Sequence, residues 1–242
     1  MIVSIIIPAY NEELRIEHTL KMIAAFPFGL GVDLELIVVD DASSDQTSMI
    51  VKKFAQTHPQ VKLLQADVNR GKGFAVRWGM CEACGDYLLF VDADNSTPIE
   101  EVQKLLPLVM RGDCDIAIGS RGLKESLVKM KQSWIRHRMG KIFNIFVRGL
   151  VLKGFYDTQC GFKCFSQKAA QAVFALQRID RFAFDVEILV IATLKGLRIK
   201  EVPVVWVNSP QSKVDPIKDA TKMLCDLLRI KINFVKGLYH KT

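Results

Sequence analysis

"DYLLFVDADNSTP", residues 86–98, decides how the rest of the chain is read. An apolar run from Tyr87 to Val91 stops at Asp92-Ala93-Asp94, and Thr97-Pro98-Ile99-Glu100-Glu101 follows at once. A short apolar run bounded by polar residues suits a strand buried on both faces. Proline at or near a first helical turn, with acids beside the positive helix end, suits a helix start. The stretch therefore predicts a strand ending in two carboxylates that leads directly into a helix. Two carboxylates so close repel each other and call for a compensating positive charge.

The same unit repeats on both sides. "VSIIIP" (3–8), "LELIVVD" (34–40), "VKLLQA" (61–66), "DYLLFVD" (86–92) and "DIAIGS" (115–120) read as strands. Helical patterns fill the gaps at about 12–26, 44–57, 72–84 and 98–111. Doubly buried strands alternating with helices predict an α/β fold, a mostly parallel sheet flanked by helices. In such sheets ligands bind outside the carboxyl ends of the strands. The segments placed there are Pro8 to Glu12, Asp40 to Ser43, Asp67 to Gly73, Asp92 to Asp94, and Ser120-Arg121. Polar loops are common, but stability alone does not explain so many carboxylates at strand ends.

Past residue 121 the alternation stops. A basic helical region (about 126–152) leads into "YDTQCGFKCF" (156–165), helices at about 167–177 and 184–196, and one strand, "RIKEVPVVWV" (198–207). From Pro216 to about Tyr239, Met223, Leu224, Leu227, Leu228, Phe234, Val235 and Leu238 interleave with Lys218, Lys222, Arg229, Lys231 and Lys236, as in a basic amphipathic helix. There is no internal repeat, linker or low-complexity tract. The expectation is one domain, 1–242, with a ligand-binding half (1–121) and a second half (122–242) carrying basic amphipathic helices.

The formal net charge is +7, and the excess is local. Between Arg121 and Lys153 nine Lys/Arg face one acid, Glu125. Such a patch suits nucleic acid, phosphorylated ligands or an anionic membrane surface. Trp134, Ile135, Phe143 and Phe146 lie among these cations, which favours a membrane surface over an ordinary solvated helix. A nucleic-acid module would explain the patch but not the strand-end carboxylates, so no nucleic-acid partner is expected. The opening "MIVSIIIPAYNEE" lacks the basic start of a signal peptide, and no apolar run reaches the roughly 18–20 residues of a bilayer span. The expectation is a cytoplasmic protein, peripheral at a membrane's cytoplasmic face. Of the six cysteines, Cys81 and Cys84 form a C-x-x-C with no second pair or histidine cluster, and all six read as reduced thiols packed as small hydrophobes.

The candidate site has rival readings. Asp92 and Asp94, two apart in an extended segment, point the same way and could hold Mg²⁺ with substrate phosphates completing its shell. The same acids could instead cap the following helix. Asp40 could accept from a base or ribose, with Asp41 nearer a diphosphate, or the pair with Ser43 and Ser44 could cap a helix. Asn69-Arg70-Gly71-Lys72-Gly73 offers backbone and a cation at a helix start, where phosphate could sit, but lacks P-loop spacing. Asp185 reads equally as a helix cap beside core residues Phe182, Phe184 and Ile188.

Together "SIIIPAYNEE", "IVVDDASSDQT", "NRGKGFAVRWGM", "FVDADNSTP" and "IAIGSR" resemble, in order and spacing, the family 2 glycosyltransferases of the GT-A fold. "DTQCGFKCF", "RFAFDVEIL" and "VPVVWVNSPQSKV" resemble its polyprenyl-phosphate branch, most of all the dolichyl-phosphate β-glucosyltransferases. The resemblance implies a Rossmann-like nucleotide-diphospho-sugar transferase. It would move a hexose, with inversion, from a nucleotide sugar (UDP-glucose, with GDP-mannose the competing donor) to a polyprenyl phosphate such as dolichyl phosphate. A growing polysaccharide or another soluble acceptor is the alternative within the family. A sugar nucleotidyltransferase would open with a glycine-rich loop where this chain has "PAYNEE".

The resemblance places Pro8, Tyr10, Glu12, Asp40, Asp41, Lys72 and Asp92 around the nucleotide. Asp94 becomes the main ligand of Mg²⁺ or Mn²⁺, with Asp92 and Ser96 beside it. Mannosyl relatives carry Gln where this chain has Ser96. Arg121, Arg136 and Lys213 fall at positions facing acceptor or donor phosphates, with Arg138 the competing choice for Arg136. Asp157, Gln159 and Lys163 fall in a segment contacting the sugar or its phosphate, and Asp157, Gln159 and Asp185 join Asp94 and Arg121 as catalytic candidates.

Overall fold

The computed structural model describes residues 1–29, 31–129, 143–152, 154–207 and 216–240, the last stretch with side chains from Thr221 onward. Strands β1 (Ile2–Ala9), β2 (Asp33–Asp40), β3 (Val61–Gln65), β4 (Tyr87–Val91) and β5 (Ile116–Ser120) alternate with helices α1 (Ile16–Ala25), α2 (Thr47–Ala55), α3 (Lys72–Glu82) and α4 (Val102–Met110). A 3₁₀ turn, Ile99–Glu101, leads into α4 behind Pro98, whose extended backbone (φ −56°, ψ 145°) starts the turn. Then come β6 (Leu127–Lys129), α5 (143–150), β7 (Phe162–Ser166), α6 (Gln167–Phe174), α7 (Phe184–Leu194), β8 (Ile199–Pro203), β9 (Val205–Val207) and α8 (Pro216–Val235).

The main sheet has the order β3-β2-β1-β4-β7-β5-β8. All neighbours are parallel except β7, which runs antiparallel to β4 and β5. Both sheet faces are covered, and β1 shows why its sequence is apolar throughout. Ile5 and Ile7 pack in one core layer with Leu20 of α1, Phe54 of α2 and Leu105 of α4. Ile6 packs in the other with Val76 of α3, Val173 of α6 and Ile188 of α7. Side chains alternate faces along a strand, and burying each isoleucine contributes about 1.5–3 kcal/mol, so both layers draw on the same strand.

Registers bring the strand ends level. Ala9 pairs with Asp40, Val91 with Phe162 and Ser120 with Pro203. The parallel strands' carboxyl ends, and the amino end of antiparallel β7, therefore open on one edge.

The second half departs from expectation in three places. β7 is a central strand although no strand was expected there, because Lys163 interrupts its apolar pattern. The expected strand 198–207 is two strands in different sheets: β8 completes the main sheet, and β9 pairs with β6. Val204 separates them, after Pro203, which has no N–H to give a ladder. The region expected to be helical from about 126 opens with β6, and α5 covers 143–150. Cys114, Cys160 and Cys164 are buried, whereas Cys81, Cys84 and Cys225 are exposed, so only three of the six free thiols pack in the core as expected. Among the described residues, no helix is long and apolar enough to cross a membrane.

Candidate functional site

The loops after β1, β2 and β4 each carry a non-glycine residue with positive φ: Asn11 (55°), Ala42 (62°) and Asn95 (51°). Left-handed backbone at such residues costs of order 1 kcal/mol and persists where surroundings over-determine it. Here they do. The Asn11 N–H donates to Ser43 Oγ (2.8 Å), and Ser44 N–H donates back to Asn11 Oδ1 (2.7 Å).

Asp40 and Asp41 close this corner. Asp40 accepts from Ser43 N–H (3.0 Å) and the Ser48 hydroxyl. Asp41 accepts from Asn69 Nδ2 (2.9 Å), Arg70 N–H (2.9 Å) and Gly71 N–H (2.7 Å), pinning the loop that starts α3. Both are buried. Asp41 thus shapes the Lys72 loop, a role that Asp-Asp beside serines did not single out in the sequence. Pro8 is buried at the end of β1, while Tyr10 is 42% exposed beyond it.

Lys72 heads α3. Its Nζ lies 2.5 Å from Asp92 Oδ1. Burial works against its charge, but Asp92 and then Asp185 outweigh it and raise its proton affinity. Gly71 has φ 117°, and a Cβ there would meet the Asp180 carbonyl at 2.6 Å, so only glycine delivers Lys72 to this position. Asp92 is hemmed in from the other side by Gly161, where a Cβ would fall 2.1 Å from Asp92 Oδ2.

Asp94 accepts from Ser96 N–H (3.0 Å), and Arg15 Nη1 stands 3.7 Å away. Arg15 is held more tightly by Glu12 (2.7 Å from Nε), so one guanidinium links the β1 and β4 loops. Burial, then the neighbouring Asp92, push the Asp94 carboxyl pKa up, opposed by Ser96 and Arg15. Each carboxylate of the pair thus has its own cation, Lys72 for Asp92 and Arg15 for Asp94.

Beyond β5, Arg121 grips Asp157 with two nitrogens (Nε 2.6 Å, Nη2 2.9 Å), and its own N–H adds a third bond (3.0 Å). Burial opposes the Asp157 charge, but Arg121 prevails and holds the carboxyl pKa at about 2. Glu201 of β8 fixes this loop by accepting from Tyr156 and Asp157 N–H groups, both at 2.9 Å. The Trp206 ring lies 5.4 Å from the guanidinium. Gln159 N–H donates to Asp157 (3.0 Å), while Gln159 Nε2 and Thr158 Oγ1 are buried with no hydrogen-bond partner among the described residues. Asp185, in the first turn of α7, is buried and paired with Lys163 rather than exposed as a cap. Lys163 is itself fully buried, so it does not reach the sugar or phosphate contact expected of it.

The fold thus gathers Pro8, Tyr10, Glu12, Asp40, Asp41, Lys72, Asp92, Asp94, Ser96, Arg121, Asp157, Gln159 and Asp185 at one sheet edge. Arg136, Arg138 and Lys213 lie outside the described residues. Arg15, Gly161 and Glu201 are additions. Arg15 sits in "NEELRIE" as an ordinary surface charge, and nothing local marks it. Among the described residues no group of three or more His, Cys, Asp or Glu is gathered for a metal. A pair nevertheless fits a magnesium-type ion, which takes one or two carboxylates plus substrate phosphates. Asp94 is half-buried beside a like charge, Asp92, that pushes its carboxyl pKa up, an environment a divalent cation would relieve.

Paired carboxylates and cations on the carboxyl edge of a mostly parallel sheet define the architecture of a GT-A glycosyltransferase. Residues 4–174 match the model of glycosyl transferase family 2, and the chain belongs to that family. It is 36% identical to the dolichyl-phosphate beta-glucosyltransferase of Dictyostelium discoideum, over 98% of this chain and 76% of that protein. The Homo sapiens dolichyl-phosphate beta-glucosyltransferase is 35% identical with the same coverage. Among solved structures, the glucosyl-3-phosphoglycerate synthase of Mycobacterium tuberculosis with Mn²⁺, UDP-glucose and phosphoglyceric acid superposes at TM-score 0.72. It covers 96% of this chain and 78% of that one at 20% identity, a likeness of fold.

Proposed function

We propose that this protein transfers glucose from UDP-glucose to a dolichyl-type polyprenyl phosphate, with inversion and with Mg²⁺ or Mn²⁺ as cofactor. The observation that carries the reading is the match to dolichyl-phosphate beta-glucosyltransferases over 98% of the chain, a span that includes both the Asp92–Asp94 pair and the Arg121–Asp157 loop.

The chemistry follows from the residues. The acceptor is a phosphate monoester whose second pKa is about 6, so its oxygen is ionised at neutral pH and needs positioning more than a strong base. Arg121, bidentate on Asp157, would present its remaining guanidinium donors to that phosphate. Arg136, Arg138 and Lys213 would add charge compensation. The phosphate oxygen bonds to the anomeric carbon from the face opposite the leaving group, and the bond to the UDP oxygen breaks. Asp94, with Asp92, would hold the cation, which when bound neutralises charge growing on the diphosphate. Pro8, Tyr10, Glu12 and Asp40 would line the nucleotide, and Lys72 would meet its phosphates. The unpartnered Gln159 Nε2 offers a donor to a sugar hydroxyl.

A lipid acceptor must be met at a surface. The exposed Leu228, Ile232 and Val235 of α8 with Arg229 and Lys231, and Ile145 and Phe146 of α5, would face an anionic membrane, peripherally and from its cytoplasmic side. The test incubates purified protein with radiolabelled UDP-glucose or GDP-mannose, a polyprenyl phosphate and Mn²⁺. Label should enter the organic phase from UDP-glucose, and EDTA or Asp94→Ala should abolish it. Transfer from GDP-mannose alone would overturn the donor, label kept in a water-soluble product would overturn the acceptor, and full-rate transfer by Asp94→Ala would overturn the metal site.

A further inference from the structure

Lys163 is the second residue of the central strand β7, between Phe90 of β4 and Ile118 of β5, with a side chain 0% exposed. Its Nζ is 2.5 Å from Asp185 Oδ1, donates to the Cys160 carbonyl (2.5 Å), and lies 5.1 Å from the Phe90 ring centre. Asp185 is 4% exposed. Taking two such charges out of water is costly, and apolar residues of like volume often serve stability as well or better. The pair therefore calls for a reason other than stability.

Its neighbours supply one. The start of α7 packs directly on the start of α3: a Cβ on Gly73, next to Lys72, would meet Phe184 Cβ, next to Asp185, at 2.7 Å. Lys72 pairs with Asp92 and Asp185 with Lys163, so acids and lysines alternate from Asp92 through Lys72 and Asp185 to Lys163. On the other side, Lys163 holds the Cys160 carbonyl, and the next residue, Gly161, presses on the Asp92 carboxylate with no room for a Cβ. Asp92 is thus bounded by two structures that both lead back to the same buried pair.

We infer that Lys163 and Asp185 are positioning residues that set Lys72 and Asp92 for the nucleotide diphosphate from beneath the site. Asp185 acts through Lys72 rather than on the reacting atoms. The inference rests on the proposed donor site, and it specifies which buried groups hold that site in register.

The test compares the parent chain with Lys163→Met/Asp185→Leu, which replaces the pair by apolar side chains, and with Asp185→Asn, which removes the charge at nearly constant shape. Three quantities are measured: melting temperature, the rate of Lys72 amine labelling by mass spectrometry, and affinity for UDP with Mn²⁺. The double variant should melt close to the parent, label Lys72 severalfold faster and bind UDP about tenfold more weakly, the usual scale for a lost supporting partner. A folded double variant with parental labelling and UDP affinity overturns the inference. If the double variant does not fold, Asp185→Asn carries the same two readouts, and unchanged values there overturn it equally. If the parent itself binds no UDP, the donor reading fails, while the Lys72 labelling rate still decides whether the buried pair positions Lys72.

Discussion

The two ends of β5 carry the same chemistry with different consequences. Before the strand, Asp115 takes two guanidinium nitrogens of Arg198, both at 3.1 Å, with side chains 29% and 60% exposed. After it, Asp157 takes two guanidinium nitrogens of Arg121, with side chains 8% and 25% exposed. Both carboxyl pKa values are lowered, but only Asp157 does so against a dominant burial penalty. An exposed pair is screened by water and salt and stabilises little. A buried one is insulated and keeps its guanidinium in one orientation. The sheet edge, not the residue pair, decides which of them joins the candidate site.

The sharpest way to break this comparison is Arg121→Lys. Lysine keeps the charge but loses the planar fork, and transferase activity should fall about a hundredfold or more, read as kcat/KM for the lipid acceptor. Activity within threefold of the parent would reduce Arg121 to a structural partner like Arg198. Next comes Gly161→Ala. Its methyl displaces the Asp92 carboxylate, so activity should drop about tenfold or more with a smaller change in melting temperature. Acid titration should show the buried pair directly. The Asp157 pKa is depressed from the ordinary carboxylate range to about 2. Its stabilisation, about 2 kcal/mol, is therefore present above pH about 4 and lost as pH falls toward 2. Urea midpoints measured across that window should fall more steeply for the parent than for Asp157→Asn. The smallest effect is expected at the exposed pair: Asp115→Asn should leave activity unchanged and move the melting midpoint by only about 2 °C.

The first half of the fold was legible because each strand is apolar on both faces and each ends in charge. From "SIIIPAYNEE" to "IAIGSR" the spacing predicted every strand within a residue or two, and with them the edge where Asp40, Asp92, Asp94 and Arg121 collect. The second half was harder to read for identifiable reasons. Lys163 hid β7, because a charge inside a strand reads as solvent exposure until its partner Asp185, distant in sequence, is known. Val204 hid the change of sheet between β8 and β9, because a continuous β-branched run carries no sign of which neighbour it will join.

By itself, the sequence determined the alternation of strands and helices, the position of the carboxylates at strand ends, and the family. These depend on local periodicity and on short motifs. Only the tertiary structure decided that Arg15 serves Glu12 and Asp94 together, that Asp41 shapes the Lys72 loop, and that Gly161 presses against Asp92. It alone decided that Lys163 and Asp185 form a buried pair. Those contacts join residues far apart in the chain, and their strength depends on burial, which no local pattern encodes.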